Sequence, residues 1–429
     1  MAKQWDVVII GGGLSGLVGA NCLTQSQLSV LVIEKGKKFG GRARTDSINN
    51  QLFNIGPHAL YKKGEAKSIL EQLGIELHGK SPKLGGLLID EKVKYSAPFN
   101  PIGVFTTCFF NWKERMQWIK ALVKILNTKT DSISQQSFLQ WVEGVSSSKS
   151  VQTVLLSLGR LATYCHAPAH VSAKVIVTQL KAVMSGVIYL DGGWQSMIDQ
   201  LYNKALMKGT EVRSHQTVKQ ILPMFSEKDT AFDITLANGE SISTRNIIST
   251  TGPRELLKML GEYAPSVMKD FFAQMEPVKG ATLDVALTKL PDPSKLFALG
   301  IHAPLYYSVH STYAQLSEHS NNVILHVYKY LQPDELVEAK SVQLELEQFL
   351  ETIQPGWKQY EITSRFIPYI TVNERLPLVG DELRLESSKP AVPGLYLSGD
   401  WTSPYSILSE AAVSSAQQAA IGIIQKEKS

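Results

Sequence analysis

The feature that most restricts how this chain can fold is a glycine-rich turn near its N-terminus. Residues 5–10 are apolar and β-branched, residues 15–24 show helical periodicity, and residues 29–34 are again β-branched. The turn at 11–16 reads GGGLSG and fits G-x-G-x-x-G at the junction of the first strand and the helix. In this spacing the first glycine permits a tight turn, the second lets backbone approach a pyrophosphate, and the third lets the helix pack on the strand. The first 35 residues are therefore predicted to form a βαβ dinucleotide-binding unit.

Glu34 supplies the carboxylate that such a unit requires. It closes the second predicted strand, about 20 residues after the turn, where an acidic side chain accepts hydrogen bonds from a ribose. The N-terminus of the helix adds free N–H donors and a partial positive charge for the phosphates. Gly40 and Gly41 follow, and they let backbone come close to a cofactor, while Arg42 brings a permanently charged planar group. The first motif alone leaves NAD and FAD open.

The remaining pattern alternates between helical and stranded segments. A turn at Asn238 and Gly239 between two stranded runs is a strong hairpin signal. Strands are predicted at 216–223, 231–236, 246–250, 280–290, 322–331 and 395–398. Helices are predicted at 112–126, within 135–161 on both sides of a serine-rich turn at 146–148, at 342–352 and at 409–424.

Five segments together carry a family resemblance. These are the glycine turn at 11–16, Glu34-Lys35, Gly40-Gly41-Arg42, the sequence NIGPH at 54–58, and Ser398-Gly399-Asp400. They resemble the superfamily of FAD-containing amine oxidases, protoporphyrinogen oxidases and phytoene desaturases. The resemblance implies an α/β fold with a Rossmann-like FAD-binding domain of the glutathione reductase type. The FAD-binding domain is predicted to be assembled from residues 1–80, 190–275 and 385–429. Residues 81–189 and 276–384 are predicted to form an inserted α+β substrate domain with a mixed sheet and a helical cap.

The resemblance also implies a set of FAD-binding residues. Glu34 is expected at the adenosine ribose, Arg42 at the pyrophosphate side, Val218 at the adenine through its backbone, and Asp400 at the ribityl or pyrophosphate part. Residues 56–58 are expected near the isoalloxazine ring. The full set is Gly11, Gly13, Leu14, Ser15, Gly16, Glu34, Lys35, Gly41, Arg42, Gly56, Pro57, His58, Val218, Thr251, Gly252, Gly399, Asp400 and Ser409.

The chain departs from the superfamily pattern in its last helix and near the flavin. Ala411 and Ala416 stand where glycine is usual, and residues 401–409 contain no cysteine for a thioether, so the FAD is expected to be noncovalent. Lys279 and Lys289 lie in about the right part of the chain for the lysine that amine oxidases place near flavin N5. Neither sits in a recognisable version of that motif, and both are interpreted as solvated lysines. These departures favour the phytoene desaturase-like branch.

The leading functional prediction is an FAD-dependent oxidoreductase that oxidises or desaturates an apolar organic substrate by hydride transfer to flavin N5. Electrons would then pass to oxygen, a quinone or another acceptor. A flavin amine oxidase for primary or secondary amines is one alternative, with Trp401, Tyr405 and Tyr369 as a conceivable aromatic cage. A flavin-binding protein with a structural or regulatory FAD is another. His58 and Tyr405 are the candidate catalytic residues, and a buried structural role is equally compatible with both.

Two readings stay open for residues 98–126, which are rich in apolar side chains next to several lysines. The stretch either packs inside the cap or touches lipid at the membrane surface. No run approaches the roughly 20 apolar residues that span a bilayer.

Composition restricts the remaining function classes. A net charge of +4 over 429 residues, without a concentrated basic face, argues against nucleic-acid binding. The three cysteines, Cys22, Cys108 and Cys165, are too far apart for a zinc knuckle, and the nine histidines are scattered, so no metal site is expected. An odd number of distant cysteines favours free thiols and a cytoplasmic protein, with the membrane surface as the alternative location. The sequence does not determine the oligomeric state.

Overall fold

The computed structural model describes residues 4–24, 26–225, 230–389 and 391–428. Its strands are β1 (Gln4–Ile10), β2 (Val30–Ile33), β3 (Thr45–Ile48), β4 (Gln51–Asn54), β5 (Leu60–Tyr61), β6 (Gly79–Lys80), β7 (Leu87–Asp90), β8 (Val93–Ser96), β9 (Val187–Leu190), β10 (Glu211–Arg213), β11 (Val218–Phe225), β12 (Thr230–Leu236), β13 (Ser241–Ser249), β14 (Val278–Leu287), β15 (Phe297–Gly300), β16 (Leu305–Val309), β17 (Val323–Tyr330), β18 (Glu361–Asn373) and β19 (Leu395–Leu397).

The α-helices are α1 (Leu14–Leu23), α2 (Glu65–Gln72), α3 (Pro101–Thr106), α4 (Trp112–Asn127), α5 (Phe138–Val145), α6 (Lys149–Thr163), α7 (Ala173–Met184), α8 (Gln195–Met207), α9 (Pro253–Leu260), α10 (Ser266–Phe272), α11 (Ala339–Ile353), α12 (Asp381–Ser388) and α13 (Leu408–Lys426). Each helix and strand that the sequence predicts occurs, with ends that differ by a few residues. The largest shift is at β13, which begins at Ser241 rather than at residue 246.

The first sheet carries the predicted dinucleotide fold. Its strand order is β10-β2-β1-β13-β12-β11, and β19 also pairs with β13. The pairs among β10, β2, β1, β13 and β19 are parallel, and β11 and β12 continue the sheet as antiparallel hairpins. Asn238 and Gly239 lie in the turn between β12 and β13, as the hairpin signal predicts. The α/β fold is therefore confirmed.

The register of the parallel strands brings their carboxyl ends into one row. Ile10 pairs with Ile33 and with Ser249, and Ser249 pairs with Leu397. The segments that follow these strands therefore emerge side by side at one edge. In open α/β sheets this edge is where ligands bind.

The second sheet is mixed and has the order β18-β14-β17-β16-β15-β7-β8. Only the pair of β7 and β15 is parallel. Helix α11 packs on one face of this sheet, and helices α4 to α7 form a helical layer with their own apolar core against its other face. Strands of the first sheet come from residues 4–33, 211–249 and 395–397, and those of the second from 87–96 and 278–373. Two of the predicted domain limits fall inside β9 and α12, and the division into two domains stays a prediction.

The last helix, α13, packs directly against the first, α1, on one face of the dinucleotide sheet. Ala416 is fully buried there, and its methyl group faces Gly19 of α1, where the missing side chain leaves room. Ala411 is also fully buried. The departure from glycine at 416 is thus matched by a glycine on the facing helix.

Candidate functional site

One large cavity begins at the carboxyl edge of the first sheet and extends between the second sheet and the helical layer. Its volume is about 1260 Å³. The residues that line it from the predicted set are Gly11, Gly13, Leu14, Ser15, Glu34, Lys35, Gly41, Arg42, Gly56, Pro57, His58, Val218, Thr251, Gly252, Gly399, Asp400 and Ser409. From that set, only Gly16 does not line the cavity.

Gly16 instead keeps α1 against β1. A Cβ at this position would overlap the carbonyl oxygen of Gly11. Gly11 itself has φ +108°, a conformation that favours glycine. Both residues therefore act through the turn geometry that the motif predicts.

Gly13 marks the N-terminus of α1 and opens toward the cavity. No side chain caps this helix end, and a Cβ at Gly13 would meet nothing closer than the carbonyl oxygen of Gly40 at 3.9 Å. Gly40 lies alongside because its backbone N–H donates to the carbonyl oxygen of Gly12 at 2.8 Å. Uncapped N–H groups facing an open glycine cradle form an anion-binding site.

Glu34 lies at the end of β2 in a fixed orientation. One of its carboxylate oxygens accepts a hydrogen bond from the backbone N–H of Gly12 at 2.7 Å, and the other accepts from that of Gly36 at 2.6 Å. Each oxygen keeps a free lone pair for a further donor. The carboxylate is therefore preorganised to accept hydroxyl groups.

Arg42 and Asp400 meet each other across the cavity wall. The two guanidinium nitrogens Nη1 and Nη2 donate to the two carboxylate oxygens at 2.6 and 2.9 Å. Asp400 also accepts from the backbone N–H of Glu374 at 3.2 Å, and Glu374 lies 3.9 Å from Arg42. Sequence reasoning placed Arg42 and Asp400 separately and missed both their pairing and Glu374. No motif signals Glu374, because it follows a strand of the other sheet.

Serine hydroxyl groups join the first and last motifs beneath the cavity. Ser15 of α1 and Ser398 share a short hydrogen bond, and Ser398 lies 3.1 Å from the hydroxyl oxygen of Ser415 in α13. Ser415 also accepts the backbone N–H of Gly399 at 3.0 Å, where φ is +147°. The chain thereby places Asp400 next to α1.

The segment 56–58 crosses the middle of the cavity. Nδ1 of His58 lies 2.9 Å from the carbonyl oxygen of Gly56, and its ring packs edge-on against Trp194. Burial lowers the pKa of His58 to about 4, so the imidazole is uncharged at neutral pH. Tyr164 holds this segment in place, because its hydroxyl group donates to the carbonyl oxygen of Pro57 at 2.7 Å. Tyr164 adopts φ +61°, which is unusual for a residue other than glycine.

Beyond His58 the cavity becomes apolar and aromatic. Most of its side chains come from the helical layer and from the second sheet, and Tyr189 comes from β9. The lining includes Phe99, Trp118, Leu122, Ile125, Leu158, Leu161, Tyr164, Leu180, Val183, Met184, Tyr189, Phe297, Tyr306, Val309, Tyr328 and Ile370. Burial raises the pKa of Tyr164, Tyr189 and Tyr328 well above the usual range. Burial also lowers the pKa of His310, which stacks on Tyr189. These groups are therefore uncharged at neutral pH.

The carboxylates that line the cavity within the described ranges are Glu34, Glu255, Glu374 and Asp400, and all lie at the dinucleotide end. The same described ranges contain no cluster of His, Cys, Asp and Glu that could hold a metal ion. The apolar part of the cavity thus offers hydrophobic contact and neutral polar groups.

Several candidates from the sequence lie outside the cavity. Tyr405 is 46% exposed, and its hydroxyl group donates to Glu386 at 3.0 Å, so its position does not support a role near a reacting ring. Trp401 is buried against Phe272, and Tyr369 is 47% exposed. The suggested cage of Trp401, Tyr405 and Tyr369 therefore does not form along the cavity.

The two lysines that the sequence singled out do not line the cavity. Lys279 lies over the ring of Tyr369, and Lys289 lies over that of Tyr360. Lys289 is exposed and Lys279 is half-buried, and their interpretation as solvated lysines stays a prediction.

Comparison with known proteins fits this geometry. The sequence profile described as flavin-containing amine oxidoreductase matches residues 14–424. The chain belongs to this family. FAD is therefore its cofactor, as the motifs predicted, and the predicted superfamily and enzyme class are confirmed.

Individual relatives match this chain either over a short stretch or at low sequence identity. A probable flavin-containing monoamine oxidase A from Dictyostelium discoideum is 35% identical over 81 residues, which is 19% of this chain and 17% of that protein. An oxidoreductase from Methanosarcina mazei has a TM-score of 0.78 at 18% identity and covers 99% of this chain and 100% of its own. Putrescine oxidase bound to putrescine has a TM-score of 0.77 at 14% identity, over 99% of both chains. At these identities the structural likeness shows the fold alone.

Proposed function

We propose that this protein oxidises or desaturates an apolar organic small molecule with a noncovalently held FAD, and passes the electrons to oxygen, a quinone or another acceptor. When bound, FAD supplies the redox chemistry by accepting a hydride equivalent at N5. The phytoene desaturase-like branch is the part of the superfamily that best fits this proposal.

The cavity fits FAD at its dinucleotide end. The open cradle at Gly13 and the uncapped start of α1 suit a pyrophosphate. Glu34, with both oxygens already oriented, suits the adenosine ribose. The pair of Arg42 and Asp400 suits the pyrophosphate and ribityl region, where charge and hydrogen-bond donors are both needed. Residues 56–58 would then lie beside the isoalloxazine ring.

The observation that carries the substrate class is the uncharged aromatic wall beyond His58. An ammonium group placed there would lose its hydration without gaining a carboxylate partner, a loss of several kcal/mol of which cation–π contact with the rings offsets only part. An apolar molecule would instead gain about 25 cal/mol per Å² of buried surface. The chain's own role is to exclude water and to hold a substrate carbon against the flavin.

An amine oxidase is the second candidate, because the family's description names amine oxidoreductases. Such an enzyme would have to bind the amine in its neutral form, since the wall offers no counter-charge. Substrate preference and pH dependence therefore separate the two candidates. A flavin-binding protein with a structural or regulatory FAD is the third candidate. The sequence feature in its favour is that Ala411 and Ala416 replace the usual glycines, and this argument is weak because neither residue lines the cavity.

The test begins with the absorption spectrum of the purified protein, before and after acid precipitation. Release of FAD into the supernatant is expected. The bound flavin is then reduced anaerobically with light and reoxidised with oxygen or menadione, and the oxidised enzyme is mixed anaerobically with polyene hydrocarbons or with primary and secondary amines. Flavin bleaching by the hydrocarbons supports the proposal. Bleaching only by amines supports the second candidate, and a flavin that no acceptor reoxidises supports the third.

A further inference from the structure

Two buried histidines lie next to each other at the wall of the cavity. His310 follows β16 and lines the cavity, and its ring stacks on that of Tyr189 with 3.9 Å between the ring centroids. His326 of β17 packs edge-on against His310, with 4.5 Å between the centroids. The two residues are 1% and 0% exposed, and the Nε2 atom of each has no hydrogen-bond partner within the described residues. Unpaired buried nitrogens are costly in a purely structural pair, and this favours a functional role.

Asp284 sets the protonation of His326. It lies directly opposite His326 on the neighbouring strand β14, it is fully buried, and its Oδ1 lies 2.7 Å from Nδ1 of His326. Burial opposes the ionisation of Asp284, but the interactions with His326 and Arg365 outweigh it and lower its pKa. An ionised carboxylate only accepts hydrogen bonds, so Nδ1 carries the proton and Nε2 keeps its lone pair. His326 therefore presents an unused proton-accepting nitrogen.

Arg365 of β18 completes a charged group around Asp284. Its Nε and Nη2 donate to Oδ2 of Asp284 at 3.0 and 2.6 Å, and its Nη1 donates to Asp46 at 3.0 Å. These two carboxylates and one guanidinium leave one net negative charge. Arg44 lies 3.3 Å from Asp46, but its side chain is 44% exposed, where water screens its charge. A proton on His326 would therefore bring the buried group to neutrality.

The histidine pair is electrostatically coupled to His58 in the middle of the cavity. Burial is the main cause that lowers the pKa of His58 to about 4, and a charge on His326 lowers it further, whereas Asp284 opposes this effect. Burial likewise lowers the pKa of His310, with charge on His326 and on His58 as further causes. A proton on one of the three imidazoles thus disfavours a proton on the others.

An oxidation in the apolar part of the cavity releases a proton that needs an acceptor in the wall. The carboxylates that line the cavity in the described part of the chain lie at the dinucleotide end, and burial raises the pKa values of the lining tyrosines. Imidazole has the ordinary pKa closest to neutral, and His58 and His310 are imidazoles of the lining. Of these two, His310 contacts a second imidazole that a carboxylate supports.

From these contacts we propose that His310 and His326, with Asp284 behind them, form a proton-binding site that takes up one proton as the bound FAD is reduced. His310 is the residue that faces the substrate, and His326 and Asp284 act through it. Reduction adds negative charge beside residues 56–58, so a nearby imidazole binds a proton more tightly. The site serves either substrate class, and only the source of the proton rests on the proposed function.

The atoms and electrons of such an oxidation balance. One C–H bond of the substrate gives its hydrogen and its electron pair to FAD as a hydride. The neighbouring C–H bond, or the N–H bond of an amine, gives its hydrogen to the imidazole as a proton. The electron pair of that second bond forms the new double bond. The substrate thereby loses two electrons, which FAD gains, and the protein holds the proton.

The test uses the FAD-loaded, full-length protein without any substrate. The midpoint potential of the flavin is measured against a reference dye over a pH series around neutrality. A side chain that binds a proton on reduction makes this potential fall more steeply with pH. We expect the parent to take up about one proton more per two electrons than His326→Asn. Asparagine can replace the Nδ1–H donor toward Asp284, but it binds no proton.

The matched control is His302→Asn. His302 lies 3.9 Å from Asp90, and its side chain is 72% exposed, so it forms a histidine–aspartate pair at the surface. The potential of this variant should follow that of the parent at every pH. If His326→Asn fails to bind FAD, His310→Asn gives the same comparison, because it leaves the pair of His326 and Asp284 intact. We expect a shallower pH dependence in His310→Asn as well.

Equal pH dependence in the parent and in the variant of His326 or His310 overturns the proposal. So does an equal change in His302→Asn, because the effect would then not come from the buried site. A protein that shows the additional proton but is reduced by neither hydrocarbons nor amines keeps the site and refutes the proposed function. A protein that oxidises hydrocarbons without the additional proton refutes the site alone. The two failures are therefore distinguishable.

Discussion

The two ends of the cavity are built by different means. The dinucleotide end is made mainly of backbone, from glycine turns and an uncapped helix N-terminus. A few charged side chains add to it, such as Arg42 and Asp400, which form a bidentate pair. The far end is made of uncharged apolar and aromatic side chains from two structural layers. The first end fixes a cofactor through directional hydrogen bonds, and the second selects a substrate through shape and desolvation. A change at one end should therefore leave the other intact.

The strongest way to break this comparison is to place a charge in the glycine cradle. Gly13 has φ −77° and ψ −175°, which any residue can adopt, and a side chain there has open space. Gly13→Asp should therefore fold but repel the pyrophosphate, by about 3 kcal/mol or more. We expect FAD affinity to fall at least about 100-fold.

The measurement is titration of the flavin-free protein with FAD, with circular dichroism as a check of folding. Gly144→Asp is the matched control, because a Cβ at Gly144 would have no neighbour within 4 Å, and this residue lies in α5 of the helical layer. Unchanged FAD affinity in Gly13→Asp would place the pyrophosphate elsewhere.

The pair of Arg42 and Asp400 tests the dinucleotide end more gently. Asp400 is 5% exposed and orients Arg42 through two hydrogen bonds. Asp400→Asn removes the carboxylate charge and leaves one N–H donor of Arg42 with a poor acceptor. The lost orientation of Arg42 should reduce the free energy of FAD binding by about 1–3 kcal/mol. FAD affinity should fall about 10-fold to 100-fold in the same titration.

Glu71→Gln serves as the control for Asp400→Asn, since Glu71 pairs with Lys67 on the surface of α2 and should affect FAD binding little. If Asp400→Asn bound FAD as well as the parent, the pair would be structural only.

His58 lies where the two ends meet, and its protonation state tests whether that junction is kept neutral. Burial lowers its pKa to about 4, below the usual value near 6.5. The unfolded chain therefore binds this proton first as the pH falls. The contribution of the neutral ring to the free energy of unfolding is complete above about pH 6.5 and is lost as the pH falls toward about 4. For a ring that faces a cavity this loss is roughly 2 kcal/mol.

Urea unfolding of the flavin-free protein at pH 7 and pH 4.5 measures this loss. In His58→Gln the difference between the two pH values should shrink by most of that amount. His78→Gln is the control, because its imidazole is largely exposed beside Glu76. An equal pH dependence in His58→Gln and the parent would show that the ring charges freely in the folded protein.

The two ends also differ in how far the sequence could predict them. The motifs at 11–16, 34 and 399–400 each follow a parallel strand of one sheet. Such strand ends meet, so these motifs could be assembled in advance. The apolar wall draws on helices α4, α6 and α7 and on strands β16 and β17, and no short-range pattern joins them. Tyr405 shows the converse, because a residue that is near Asp400 in sequence does not line the cavity.

Strand β18 was not predicted for a specific physical reason. Pro368 interrupts its residues, and proline lacks the N–H group that an interior strand needs. The strand tolerates this proline because it lies at the edge of the second sheet, and its register with β14 shifts between Ile370 and Ile367. Glu374, which joins Arg42 and Asp400, follows this strand and was missed with it.

The smallest expected effect comes from filling the apolar end. Leu158 of α6 lines the cavity far from the dinucleotide motifs. Leu158→Trp adds volume there, so a ligand in this part of the cavity meets a larger side chain. Overpacking of this kind should reduce the free energy of ligand binding by about 1–3 kcal/mol. The neutral dye Nile red should therefore bind about tenfold more weakly, while FAD affinity changes by less than about twofold. Leu344→Trp is the control, since Leu344 is 56% exposed on α11. Fluorescence titration with Nile red and absorbance titration with FAD on the same samples measure both ends together. If Leu158→Trp weakened FAD binding as much as dye binding, the two ends would be coupled, and the division of labour between backbone cradle and apolar wall would be wrong.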